Sequence, residues 1–210
     1  MYEPAHFRVE EKAELVAFLR AWPLGLLIVQ DEAGMSADLV PFLVDDEGAV
    51  LRAHVARKNP LARSLAAGRQ VLVAFCGPQA YVSPSLYPSK PEHGRVVPTW
   101  NYAMAQASGV ARLREEPEWI AAQVEALTAQ QEAGRAKPWA ASDAPADFIA
   151  AQMRAIIGVE IEIEDLRGKH KLSQNRSEQD RRGVMTGLSQ DSRLEAQATG
   201  LLMQAQRLNR

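Results

Sequence analysis

Between residues 10 and 22 the chain reads EEKAELVAFLRAW, and Leu15, Phe18, Leu19 and Trp22 recur at helical spacing. That spacing predicts an amphipathic helix over 11–22, which Pro23 stops because proline cannot continue a helix. LGLLIVQ (24–30) is a continuous apolar run and reads as a buried strand, and DEAG (31–34) as a polar turn. ADLVPFLV (37–44) and AVLRAHVA (49–56) read as strands joined by a DDEG hairpin, with Pro41 marking an edge or a bulge. KNPLARSLAAG predicts a short helix with Asn59 as N-cap, Pro60 in the first turn and Gly68 at the C-terminal end.

QVLVAFC (70–76) is a further core strand. The next 26 residues, 77–102, hold five prolines and two glycines and predict a long functional loop before a strand at 106–114. Helices are predicted at 117–132 and 145–156. In GVEIEIEDL (158–166) Val159, Ile161 and Ile163 alternate with Glu160, Glu162 and Glu164, the pattern of a half-buried strand. The tail from Asp191 reads as a helix with Leu194, Leu201 and Leu208 one heptad apart, suited to packing or dimerisation through Leu194, Leu201, Leu202 and Met203.

About six strands, mostly neighbours in sequence, predict an α+β fold: an antiparallel sheet closed into a small barrel with helices outside. A Rossmann domain is not expected, because the strands do not alternate with helices and no G-x-G-x-x-G follows a strand. One domain over 1–188 with a C-terminal helix over 189–210 is the expected organisation.

Composition adds limits. The chain has 210 residues and a net charge of -2, which does not advertise a nucleic-acid partner. From Arg167 onward, however, nine basic residues face four acidic ones. Cys76 is the single cysteine, so an intramolecular disulfide and a thiolate metal cluster are excluded, and a buried, inert thiol is expected. The four histidines are scattered without metal-ligand spacing. The N-terminal stretch lacks the pattern of a signal peptide and no apolar run is long enough to span a membrane, which points to a cytoplasmic address.

Three stretches carry candidate chemistry. In RAHVARKNP (52–60), Arg57, Lys58 and Asn59 sit where a strand becomes a helix, either as an anion site or as a plain cap. In VVPTWNY (96–102), Trp100 beside Asn101 offers a stacking face and a hydrogen-bonding amide, or else a core tryptophan in a turn. In GKHKLSQNR (168–176), Lys171 and Arg176 suit a phosphate while Gln174 and Asn175 suit the edge of a heterocycle; the alternative is a helix capped by Ser173. DNA contact would fall on Arg181, Arg182 and Arg193. Neither a nucleophile with its base nor a general acid is recognisable.

MYEPAHF, HVARKNP, FCGPQAYVSPSLYPSK, VVPTWNY and AIIGVEIEIEDLRGKHKLSQNRSEQDRRGV occur in this order from residue 1 to about 190. Together they resemble the PaiB-type, FMN-binding negative transcriptional regulator family. The resemblance implies an FMN-binding split barrel, usually a homodimer, that represses genes. It implies phosphate and ribityl contacts from Arg57, Asn59, Lys171 and Arg176, and flavin-ring contacts from Trp100, Asn101, Gln174 and Asn175. The chain departs from the family pattern at Asp38, Gln79, Gln106 and Ser108, where histidine is usual, and at Leu86, where tryptophan is usual. A flavin-dependent oxidoreductase and a split barrel that has lost FMN are the alternatives.

Overall fold

The computed structural model describes residues 1–208, with side chains through Gln206. The side chain of Leu208, third leucine of the expected heptad, lies outside the described residues, as do residues 209 and 210. In chain order the elements are β1 (Arg8–Val9), α1 (Lys12–Ala21), β2 (Leu24–Asp31), β3 (Gly34–Pro41), β4 (Leu43–Val44), β5 (Val50–Ala56) and α2 (Pro60–Leu65). They continue with β6 (Arg69–Val82), α3 (Lys90–His93), β7 (Thr99–Arg114), α4 (Pro117–Glu132), α5 (Ala146–Arg154), β8 (Ile156–Lys171), α6 (Glu178–Ser189) and α7 (Leu194–Leu208). The strand order is β3-β2-β6-β7-β8-β5-β4, with β1 paired to β8. The chain divides into a larger unit (Glu11–Phe75 with Ala105–Leu166) and a smaller one (Met1–Glu10, Cys76–Met104 and Arg167–Arg210).

In the larger unit, alternation decides the core. Leu27, Val29, Leu51, Ala53, Val55, Val73, Phe75, Val159 and Ile161 are buried on one face of their strands. Leu15, Val16, Phe18 and Leu19 form the buried stripe of α1. Trp22, expected on that stripe, follows the helix end and is largely exposed. Asn59 caps α2 by accepting a hydrogen bond from the Leu61 N–H at 2.9 Å. The barrel expected from the sequence does not close its ladder. The two ends of the strand order, β3 and β4, are instead consecutive in sequence and joined through buried Phe42.

The outer side of β5 and β8 is built to receive α4. At Gly158 an added Cβ would fall 2.3 Å from the Trp119 ring, so the glycine makes the seat for that indole. Glu160 then gathers Trp119 Nε1 at 3.3 Å, Arg114 Nε at 3.1 Å and Arg52 Nε at 3.2 Å. Burial opposes ionisation of Glu160, but hydrogen bonds from Arg114, Arg52 and Trp119 outweigh it and hold the carboxyl below its usual range.

The smaller unit has its own core of Ala80, Val82, Tyr87, Leu172, Val184, Leu188, Ala196 and Met203. The buried side of α7 is therefore Ala196, Thr199 and Met203, whereas Leu194 and Leu201 of the expected heptad stripe are exposed. The segment expected as one long loop is also shorter than predicted. β6 runs on to Val82 and β7 starts at Thr99. In β6 the buried positions are 71, 73 and 75, then 78, 80 and 82. That change of phase is the mark of an extra residue, and glycine and proline are tolerated at such a place. Cys76, next to buried Phe75 and ahead of the change of phase, falls on the outward side, so the thiol is exposed and not buried.

Gly109 of β7 carries the closest backbone approach in the sheet: an added Cβ would lie 1.8 Å from the carbonyl oxygen of Glu162 on β8. Since backbone and not a flexible side chain is in the way, Gly109→Ala is expected to destabilise the fold by roughly 1–3 kcal/mol or more. Urea unfolding of the two proteins checks this; equal midpoints and slopes would refute it.

Candidate functional site

The segment Lys169–Arg176 lies in the smaller unit and is tied to the start of β7. β8 continues through Lys171, so both lysines are strand residues held by the sheet. Ser173 then adopts a left-handed backbone, with φ 63°, the single positive φ outside glycine among the described residues. Such a conformation is costly for a residue with a Cβ, and it persists where the surroundings dictate it. Here they do. Asn101 is 0% exposed, and its Nδ2 donates to Ser173 Oγ at 3.0 Å and lies 3.4 Å from Met203 Sδ. Arg176 N–H closes the turn on Ser173 O at 3.0 Å, and Ser177, not Ser173, caps α6.

Gln174 secures the same turn. Its Oε1 accepts from Leu172 N–H at 2.6 Å, and its Nε2 donates to His170 O at 2.5 Å and to Gln206 Oε1 at 3.2 Å. Asn175 is exposed at the tip. The amides expected to meet a ring edge thus fall into two kinds: Asn101 and Gln174 hold the turn, while Asn175 faces outward.

The cations are arranged differently. Lys171 Nζ donates to Thr99 Oγ1 at 2.7 Å and to the Trp100 carbonyl. Lys169 Nζ donates to Tyr2 O at 3.0 Å and stands 5.0 Å from the centre of the Tyr102 ring, with Lys171 at 6.0 Å from the same ring. Arg176 lies over the Tyr87 ring at 5.0 Å. Burial, and then the charges of Lys169 and Arg176, push the Lys171 ammonium below its ordinary range. Among the described residues no carboxylate is paired with Lys171. Lys169 and Lys171 are bonded to neutral oxygens beside the Tyr102 ring, whereas Arg176 also feels the Asp180 carboxylate. Lys169 shares a face with Lys171 already in the sequence reading, whereas Tyr102 escaped it. The signal was the i, i+2 repeat of Lys169 with Lys171 and of Trp100 with Tyr102, which places each pair on one face of its strand.

Trp100 is 53% exposed and meets Tyr81 edge to face at 6.0 Å, leaving an indole face available for a planar ring. Arg57 and Asn59 belong to the larger unit. Arg57 donates to Arg154 O at 3.1 Å and pairs with Glu115 at 3.3 Å; Asn59, besides its cap, donates to Asp38 at 3.4 Å. Of the cations expected to meet DNA, Arg182 pairs with Glu178 at 2.9 Å and Arg193 with Asp191 at 2.7 Å, so their charge is locally offset. Among the described residues no cluster of His, Cys, Asp or Glu is placed to hold a metal, and no helix is long and apolar enough to cross a membrane.

An antiparallel sheet of this kind with helices around it recurs in split-barrel flavin proteins. The fold matches the flavocytochrome Anf3 from Azotobacter vinelandii with a TM-score of 0.61 at 14% identity, covering 86% of this chain and 77% of that one. It matches the FAD and heme binding protein from Mycobacterium smegmatis with a TM-score of 0.58 at 18% identity, covering 78% and 73%. The fold class is thus a split barrel. Residues 1–165 match the family described as "Putative FMN-binding domain", and the chain belongs to that family. It is 30% identical to the protease synthase and sporulation protein PAI 2 of Bacillus subtilis over 97% of both chains. It is 36% identical to a protein of Emericella nidulans over 82% of this chain and 84% of that one. A flavin is accordingly the cofactor, and the clustered cations with the open Trp100 face suit the phosphate and the ring of FMN.

His170 lies between the two lysines and is buried, with Gln206 Nε2 at 3.2 Å from its Nδ1. Burial lowers its pKa from 6.5 to about 4. The unfolded chain therefore binds a proton that the folded chain refuses between these two values. Stability from this group is complete above pH 6.5 and falls with pH through the window down to about 4. The loss is on the order of 3 kcal/mol. Denaturant unfolding at a series of pH values should show the acid slope, and His170→Gln should flatten it; an unchanged slope in the variant would assign it to other groups.

Proposed function

We propose that this chain is a homodimeric FMN-binding negative transcriptional regulator of the PaiB type, with the flavin phosphate on Lys169, Lys171 and Arg176 and the flavin ring against Trp100. The observation that carries the reading is the pair Lys169 and Lys171, bonded among the described residues to neutral oxygens, with Arg176 near enough to repel Lys171; a dianionic phosphate would offset that repulsion. Bound FMN supplies reversible electron exchange at its ring. The chain's own contribution is to position that ring: Asn101 and Ser173 fix the turn, Gln174 fixes the backbone between the lysines and Arg176, and Asn175 and Trp100 remain open toward a ligand. Arg57 and Asn59 are engaged within the larger unit, Arg57 with Glu115 and Asn59 as the cap of α2.

The regulatory role is supported by the likeness to the Bacillus relative, whose name ties it to protease synthesis and sporulation. A dimer is favoured by one apolar sheet face in the larger unit. Leu26 pairs with Leu39 and Ile28 with Ala37 across β2 and β3, and Leu24 and Met35 extend the same face outward. Leu39 is 64% exposed although it sits amid this face, a patch that a lone soluble chain seldom leaves open. β3 is also an edge strand, and a second copy of the chain would cover both edge and face.

Two outcomes follow. Lys171→Ala and Arg176→Ala should each weaken FMN binding about ten- to a hundredfold in a flavin-fluorescence titration, while Arg182→Ala leaves it unchanged. If both folded variants bind FMN like the parent, the phosphate sits elsewhere. Sedimentation equilibrium at micromolar concentration should give a dimer for the parent chain and a monomer for Leu39→Glu; a monomeric parent ends the dimer proposal.

A further inference from the structure

The larger unit holds a second cavity that the flavin reading does not use. Helices α4 and α5 and the connection between them, residues 133–145, enclose a cleft of about 380 Å³ whose walls include His54, Val124, Trp139, Phe148, Ile149 and Met153. A neighbouring cavity of about 390 Å³ shares Trp139, Ile149 and Met153. Each is near the lower end of the roughly 300–1,000 Å³ typical of small-molecule pockets.

Several features show a prepared site and not a loose gap. The indole of Trp139 is 45% exposed, yet its backbone is pinned: its N–H donates to Glu132 Oε2 at 3.0 Å, and the Ala140 N–H donates to Asp143 Oδ2 at 3.0 Å. The opposite wall is α5, none of whose residues is buried, so its apolar face has Phe148 53% exposed. A polar anchor lies at the strand side. His54 Nδ1 is 2.7 Å from Gln123 Oε1, an acceptor, so the tautomer that fits this contact carries its proton on Nδ1 and presents Nε2 as an acceptor. Gln123 is only 3% exposed, and its Nε2 is buried without a hydrogen-bond partner, which marks a polar deficit beside the same wall. The lining carries no cation, and its one carboxylate is Glu125 in the neighbouring cavity. An anionic ligand is therefore disfavoured.

We propose that this cleft binds a neutral aromatic molecule of one or two rings with an N–H or O–H donor. The ring packs between Trp139 and Phe148, and the donor meets His54 Nε2. Such a site would let the protein sense an aromatic metabolite independently of its flavin.

Indole is a suitable probe and 1-methylindole, which lacks the donor, its control. Calorimetric titration of the full chain should give one saturable indole site. Affinity should fall about tenfold for 1-methylindole and about tenfold for Trp139→Ala, the loss expected for one hydrogen bond or one aromatic face. In protein labelled with 15N-histidine, the His54 Nε2 resonance should move with indole and not with 1-methylindole. Because both Trp139 and Phe148 are half exposed, Phe148→Ser is a second variant whose fold is not at stake, and it should weaken indole likewise. Excess FMN should leave the indole affinity unchanged. Absence of saturable binding, equal affinity of both probes and both variants, or displacement of indole by FMN would each overturn the proposal. The last result would place indole in the flavin site and leave the flavin reading itself intact.

Discussion

A single buried hydrogen-bonded pair, Asn101 with Ser173, sets the geometry on which the candidate site depends. Ser173 takes a left-handed backbone that a side chain ordinarily avoids, and the fully buried amide of Asn101 gives it a reason to stay. The turn lets β8 end on two lysines and α6 begin with its cap only a few residues later, so that Arg176 returns over Tyr87. Without the turn, the three cations would follow an extended strand and spread apart. With it, they come together, and burial first, then the charges of Lys169 and Arg176, depress the Lys171 ammonium. The site's clustering of cations is thus a product of backbone conformation as much as of composition.

Polar groups inside the larger unit serve another purpose. Glu160 collects Arg52, Arg114 and Trp119, and Gly158 makes room for the indole, so the first turn of α4 is fixed to the outside of β5 and β8. The far end of the same helix is held more lightly. There Glu132 pins the Trp139 backbone, and α5 exposes an apolar side over the cleft. A rigid near end and a sparsely packed far end are the conditions under which a fold keeps a cavity open without giving up its core, because the stability resides in elements that the cavity does not touch.

Much of this was legible before any coordinates. The antiparallel class, α1, α4 and α5, the Asn59 cap and the edge position of Pro41 all follow from local rules of periodicity, capping and proline chemistry. Motif order alone placed the chain in its family. Local rules failed where tertiary contacts overrode them. Gly77 and Pro78 looked like the start of a loop, yet β6 passes through them by a change of phase, and Cys76, beside buried Phe75, lies on the outward side. The leucine heptad of α7 looked like its packing face, but the small residue Ala196 and the flexible Met203 fit the core beneath, and Leu194 and Leu201 were left outside.

The sequence by itself determined the kinds of groups available: two lysines and an arginine, three amides and a tryptophan, in strand-turn-helix order. Only the tertiary structure decided their roles. It buried Asn101, closed Gln174 onto its own backbone, left Asn175 and Trp100 open, and brought Tyr102 beside the lysines. The physical reason is that an amide or an ammonium has the same chemistry in any context, whereas its partners are chosen by chain segments roughly 70 residues away, as Ser173 is for Asn101 and Thr99 is for Lys171. Sequence spacing does not encode which distant strand will lie alongside; the packing of the sheet does.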